Sequence, residues 1–283
     1  MSENKVPRQV DRRIIYLILL IGVAIPLIVP LGFHSEVTDL VKQVYDLVES
    51  TPAGSNVMIS FDYDPSTVTE LQPMSKVLIE HAWRKGQKVI AVALWPQGVQ
   101  MAEQAFNELL VKYPDKKYGV DYVNLGYKTG GMVTIQAMGR NFREVFPQDF
   151  KGTPIEQIQM MKNVKSFKQI GYIASLSAGD PGLKEYIMAA HDMFGIKVTG
   201  GVTAVSTPGF LPYVNNLHQL YGLLGGLKGA AEYESLLQVK GTATSGMDAQ
   251  SIAHVLIIVF IIMGNYRAYQ IRQNTKRKSS AKA

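Results

Sequence analysis

The sequence predicts an α/β protein: a Rossmann-like three-layer domain with a mostly parallel, five-stranded sheet, flanked by amino- and carboxy-terminal transmembrane helices. Three observations point there. Two apolar blocks without a charged residue lie near the ends, Ile14 to Phe33 and Ile252 to about Tyr266. Between them, short runs rich in Val and Ile alternate with stretches of helical periodicity. Those runs are apolar almost throughout rather than at every second residue, as parallel strands covered on both faces require.

The first block, residues 14–33, follows a basic flank, residues 1–13, and matches a hydrocarbon core of about 30 Å at about 1.5 Å rise per residue. No small-x-small pair follows it cleanly, so the reading is an uncleaved signal anchor rather than a cleaved signal peptide. Pro26 and Pro30 should kink or end the helix in its outer half. The second block carries His254 and reaches full thickness only with its polar edges, as a span over residues 251–269. A basic tail, residues 270–283, follows it.

Lys5, Arg8, Arg12 and Arg13 precede the first block; Arg267, Arg272, Lys276, Arg277, Lys278 and Lys282 follow the second. Short flanks rich in Lys and Arg stay cytoplasmic. Both termini are therefore expected in the cytoplasm, with residues 57–250 on the outer face of a cell inner membrane. Of the 29 basic and 23 acidic residues, these ten basic ones and the acidic Glu3 and Asp11 lie in the flanks, leaving 19 against 21 elsewhere. The positive charge thus faces lipid headgroups and is no nucleic-acid footprint. Cysteine is absent, which excludes disulfides, thiolate metal sites and cysteine nucleophiles. There is no Asn-x-Ser/Thr sequon either, and a bacterial or archaeal envelope is the simplest home.

After the first block, residues 34–56 form a stalk and linker, with Val37, Leu40, Val41, Val44, Leu47 and Val48 on one helical face. Strands are expected at Val57 to Phe61, Lys88 to Leu94, Tyr118 to Tyr127, Ile170 to Leu176 and Lys197 to Val205. Helices follow the first four, with a further helix at Pro154 to Met161. A last helix is read at residues 211–237, although it contains several glycines, each costing about 0.5–1 kcal/mol inside a helix. The small residues Gly222, Gly225, Gly226, Gly229 and Ala230 are read as a face for close packing, within the domain or between subunits of an oligomer.

In open parallel sheets ligands bind beyond the carboxyl ends of the strands, where strand order reverses. That rule gathers Asp62, Asp64 and Ser66 after the first strand, Trp95 after the second, Thr129 and Gly130 after the third, and Ser177, Gly179 and Asp180 after the fourth. Asp62-Tyr63-Asp64 resembles the Asp-x-Asp start of haloacid-dehalogenase-type phosphatases. The resemblance implies a nucleophilic and an acid–base carboxylate bridged by magnesium. It covers a handful of residues, and the later acidic pair that the family needs is missing: no carboxylate follows Val205 until Glu232. The alternative is structural, with Asp64 and Ser66 capping the next helix and Asp180 standing before Pro181 at another helix start. Ser177-Ala178-Gly179 and Thr129-Gly130-Gly131 could present amides to an anion, but neither is a P-loop or a dinucleotide fingerprint. The five histidines, His34, His81, His191, His218 and His254, have no metal-ligand spacing.

No catalytic residue, metal site or cofactor is therefore assigned. The expectation is a non-catalytic, membrane-anchored scaffold subunit of an oligomeric envelope complex, with membrane lipids and copies of itself or other subunits as partners. The alternatives are a membrane-tethered metal-dependent hydrolase using Asp62, Asp64 and Asp180, and a ligand-binding subunit of a transporter or sensor.

Overall fold

The computed structural model describes residues 11–33, 36–215 and 219–280. Lys5, Arg8, His34, Leu217, His218 and Lys282 lie outside them. The chain forms two compact units, one from its two ends and one from residues 34–243.

In the central unit, α2 (Asp39–Ser50) comes first. It buries Val41, Val44, Leu47 and Val48, so the expected stalk is instead an integral layer of the α/β unit. Each such side chain contributes about 1.5–3 kcal/mol of burial, ample to hold a three-turn helix in place. Six parallel strands follow: β1 (Asn56–Asp62), β2 (Lys88–Ala93), β3 (Tyr122–Tyr127), β4 (Ile170–Ser177), β5 (Val198–Val202) and β6 (Leu224–Gly225). Their order is β3-β2-β1-β4-β5-β6. The chain steps outward from β1 to β3, returns to the other side of β1 as β4 and steps outward again. The reversal lies between β1 and β4, as in the Rossmann fold.

Helices α3 (Val68–Arg84), α4 (Gly98–Leu110), α5 (Met132–Arg140) and α6 (Phe142–Val145) fill the first half. In the second half, α7 (Leu183–Tyr186) runs through a π-helical turn, Ile187–His191, into α8 (Asp192–Phe194). Helices α9 (Thr207–Asn215) and α10 (Gly226–Leu236) complete the unit. The three layers are visible at one dipeptide of β5. A Cβ on Gly200 would stand 2.8 Å from Leu183 of α7, whereas one on Gly201 would strike Met74 of α3 on the opposite face. Both edges of the sheet are guarded. The Phe150 amide donates to Asn124 O of β3 at 3.2 Å, and β6 has only two residues.

Two expectations are corrected here. The sheet has six strands, not five, because residues 211–237 are not one helix: they hold the end of α9, then β6 and α10. Gly222 sets the break, with φ +79 and no room for a Cβ, which would lie 2.5 Å from Leu40 O of α2. Residues 154–161 form two 3-10 turns, Ile155–Gln157 and Gln159–Met161, rather than an α-helix.

The end unit contains α1 (Arg12–Ile28) and most of α11 (Thr242–Ser280). Among the described residues one helix, Thr242–Lys276, is long and apolar enough to cross a membrane. Helix α1 stops at Ile28, between Pro26 and Pro30, and its 17 residues span about 25 Å, short of the expected 14–33. Its apolar side chains nonetheless face outward, among them Leu20 and Ile28. The two helices pack together: a Cβ on Gly22 would lie 2.6 Å from Leu256 Cδ1. Asp248, buried on α11, accepts from the Gly32 and Phe33 amides at 2.8 and 3.0 Å.

Candidate functional site

Polar residues in an otherwise apolar strand have to find partners. In β1 and β4 three of these, Ser60, Asp62 and Ser175, are fully buried at the reversal between the strands. Asp62 Oδ1 accepts from Ser60 Oγ and from the Leu94 amide at 2.8 Å each, and Oδ2 accepts from Ser175 Oγ at 3.1 Å. Tyr186 of α7, also buried, donates to Ser60 Oγ at 2.9 Å. All of these donors are neutral. Burial therefore dominates and pushes the Asp62 carboxyl up to about 7, against the lowering effect of the Leu94, Ser60 and Ser175 hydrogen bonds.

The loops beyond the strands converge on this point. The Ala178 amide donates to Asp62 O at 3.0 Å, and Ser177 Oγ donates to Gly179 O at 2.7 Å. Trp95 leaves the end of β2, and its indole N–H donates to Pro181 O at 2.8 Å, across β1. A Cβ on Gly179 would meet the Trp95 ring at 3.5 Å, and one on Gly131 would meet Pro181 at 3.2 Å. Four of the expected positions, Asp62, Trp95, Ser177 and Gly179, thus meet in the crevice at the carboxyl ends of β1, β2 and β4, with Asp62 and Ser177 buried, Gly179 exposed, and Gly131 and Pro181 beside them.

The other expected positions do different work. Asp64 Oδ1 accepts from the Ser66 amide at 2.9 Å and from Ser66 Oγ at 2.6 Å, a local turn ahead of α3. The N-cap of α3 is Thr67, so neither Asp64 nor Ser66 caps that helix. Thr129 O accepts from Thr134 Oγ1 at 2.5 Å, tying the loop in which Gly130 takes φ +111 to the first turn of α5. Asp180 is exposed, and the helix after it starts at Leu183 with the Glu185 carboxylate on the Gly182 amide at 2.7 Å. The capping expected of Asp180 is therefore supplied by Glu185.

Among the described residues, no group of three or more His, Asp or Glu side chains could hold a metal ion. Magnesium between Asp62 and Asp64 does not fit these donors, since the Asp62 oxygens are taken by three internal donors and Asp64 turns to Ser66.

The small residues of the glycine-rich segment face this chain itself. A Cβ on Gly225 would meet Thr207 Oγ1 at 2.6 Å, one on Gly226 would meet Ala204 at 2.7 Å, and one on Gly229 would meet the Leu224 backbone at 3.0 Å. Gly222 lies against α2, as above, and Ala230 is fully buried. The packing is within the α/β unit.

A second buried cluster escaped the sequence. His81 of α3 is 1% exposed; its Nδ1 pairs with Tyr233 Oη at 2.7 Å and its Nε2 with Glu49 Oε1 at 3.0 Å. Tyr45 stacks on the imidazole with ring centroids 4.6 Å apart. Burial holds the His81 pKa below its ordinary value, opposed by Glu49. Glu49 itself is lowered to about 2, first by its bond to Lys85 and then by His81. A carboxylate, an imidazole and a hydroxyl in line are the parts that activate a hydroxyl nucleophile. Tyr233 is fully buried, however, so no substrate reaches it.

Compared with models of known families, with curated proteins and with solved structures, this chain matches none.

Proposed function

We propose that the chain is a membrane-anchored, non-catalytic subunit of an oligomeric complex of the cell envelope. Both α1 and α11 cross the inner membrane, both termini are cytoplasmic, and the α/β unit stands on the outer face. The observation that carries this reading is the packing of α1 on the membrane-length α11 at Gly22 and Leu256. An apolar helix with outward-facing side chains, paired to a membrane helix, belongs in the same lipid. Arg12 and Arg13 begin α1, and Arg267, Arg272 and Lys276 lie in the last part of α11, which suits a shared cytoplasmic side.

The absence of catalysis is proposed because the one carboxylate at the strand reversal is saturated by its own neighbours. The central region's near-neutral charge argues against nucleic acid as a partner.

Because the chain has no cysteine, single cysteines test the topology directly. A membrane-impermeant maleimide applied to intact cells should label Ser2→Cys and Ser280→Cys only after lysis, and Asp115→Cys before it. Labelling of Ser2→Cys but not of Ser280→Cys in intact cells would sink the two-span reading, and labelling of both would reverse its orientation. The mass of the complex extracted in mild detergent then tests the scaffold role: a lone monomer counts against it.

A second reading, a small-ligand site at the strand reversal, is favoured by the meeting of Trp95, Gly179, Pro181 and Gly131 there. Under it, ligands that raise the melting temperature should lose that effect in Trp95→Ala.

A further inference from the structure

Opposite the crevice, at the amino ends of β4 and β5, lies a cavity of about 320 Å³. Its floor is apolar: Phe167, Ile170 and Ile196, each no more than 7% exposed, together with half-buried Phe194. Two cations, Lys168 and Lys197, stand in the same lining, and no acidic residue does. Both lysines are exposed, and neither makes an ion pair among the described residues. Lys197 also lines an adjoining cavity of about 560 Å³, where its ammonium lies 5.8 Å from the Tyr221 ring centroid. The one acidic residue of that second lining, Asp46, is engaged by Lys42 at 2.7 Å.

The strand pattern carries the same mark. Within β4, buried at every other position, Gly171 alone is exposed, and it too lines the smaller cavity. A hollow of this size, apolar below with cations at its rim, is matched by a molecule with an apolar body and an anionic head.

We propose that this hollow binds an amphipathic anion, its apolar part against Phe167, Ile170, Phe194 and Ile196 and its carboxylate or phosphate beside Lys168 and Lys197. Free acyl carboxylates and anionic phospholipids share that chemistry. The site does not depend on the scaffold reading or on the number of membrane spans.

The test uses the full chain in nanodiscs and photolabels mapped to peptides by mass spectrometry. One arm adds a diazirine-bearing fatty acid from solution, and the other places a diazirine-bearing phosphatidylglycerol in the bilayer. Labelling of residues 167–171 and 194–197 in the first arm alone identifies a soluble anion, and in the second arm a lipid; either supports the site. In K168E/K197E that labelling should fall at least about fivefold while labelling of α1 and α11 stays constant. K168Q/K197Q, with an unchanged melting temperature, guards against a folding defect and should also lose most of the label. Labelling confined to α1 and α11, labelling unchanged in both double variants, or equal labelling by the matching fatty alcohol would overturn the proposal.

Discussion

Asp62 and His81 are both buried titratable groups with every polar atom matched, yet they sit in opposite electrostatic settings. Around Asp62 all donors are neutral: Ser60, Ser175 and the Leu94 amide. Around His81 one partner is the Glu49 carboxylate, itself tied to Lys85 at 2.8 Å. Burial nevertheless sets the direction at both sites, raising the acid and lowering the base, so that each favours its neutral form. Full hydrogen bonding is thus a poor guide to charge state: burial sets the direction at both sites, and a charged partner such as Glu49 only opposes it. The Asp62 site lies where the strand order reverses, and the His81 cluster joins α2, α3 and α10. Changes at the first should register in the sheet, and changes at the second in helix packing.

The largest effect is expected from removing the acceptor at the reversal. Asp62→Ala leaves the Leu94 amide and the Ser60 and Ser175 hydroxyl protons without an acceptor, in a site closed to water. Each orphaned group costs about 1–3 kcal/mol, so denaturant titration of the full chain in detergent should show a loss of about 3 kcal/mol or more. A loss below about 1 kcal/mol would mean that water enters the crevice.

The pH dependence separates the two sites. An acid with a raised folded pKa holds its proton in the folded state after the unfolded chain has lost its own. Asp62 thus makes stability fall as pH rises from the ordinary carboxylate range, near 3.8, to about 7, by at most about 1.4 kcal/mol per pH unit. A base with a lowered folded pKa does the reverse: His81 costs stability as pH falls below 6.5. Their slopes oppose each other in wild type. Asp62→Asn should remove the falling branch and leave stability increasing with pH up to about 6.5. His81→Gln should remove the rising contribution below pH 6.5 and leave a profile that falls between about pH 5 and 7. Parallel profiles for the two variants would show that neither group titrates differently on folding.

A smaller loss is expected at the hydroxyl of the second cluster. Tyr233→Phe removes the partner of His81 Nδ1 while keeping the ring against Tyr45, and should cost about 1–2 kcal/mol. A neutral result would mean that the imidazole turns to a partner other than Tyr233.

These two sites also differ in how far the sequence discloses them. The five longer strands were readable because Val and Ile runs such as Val89-Ile90-Ala91-Val92-Ala93 have few other homes, and their ends then placed Asp62, Trp95, Ser177 and Gly179 together. Ser60 and Ser175, hydroxyls inside apolar runs, were the available signal that Asp62 would be satisfied internally. Strand β6 was hidden because two residues carry no periodicity and the leucines around it mimic a helix stripe. The glycines there look like a docking face, but their neighbours are α2, Thr207 and Ala204, distant in sequence. The His81 cluster had no signal at all. Glu49 and Tyr233 stand 32 and 152 residues from His81, and only the packing of three helices brings them together.

The smallest effect, and the sharpest probe of the contrast, is expected at Glu49. Its carboxylate is 39% exposed and lowered to about 2, so it is ionised throughout the neutral range, and the ion pair contributes little to stability. Glu49→Gln should change the stability at pH 7 by less than about 1 kcal/mol. Its consequence lies in the imidazole. Glu49 is the group that opposes the lowering of the His81 pKa by burial, and a glutamine keeps the hydrogen-bonding oxygen without the charge. The His81 pKa should therefore drop further in this variant, read as an imidazole titration by NMR. The acid-side loss of stability would begin at the same pH, set by the unfolded chain, and continue to lower pH, because the gap between folded and unfolded pKa has widened. An unchanged imidazole titration would show that Glu49 acts on His81 only as a hydrogen-bond partner, and the cluster would then be as free of charge compensation as the site at Asp62.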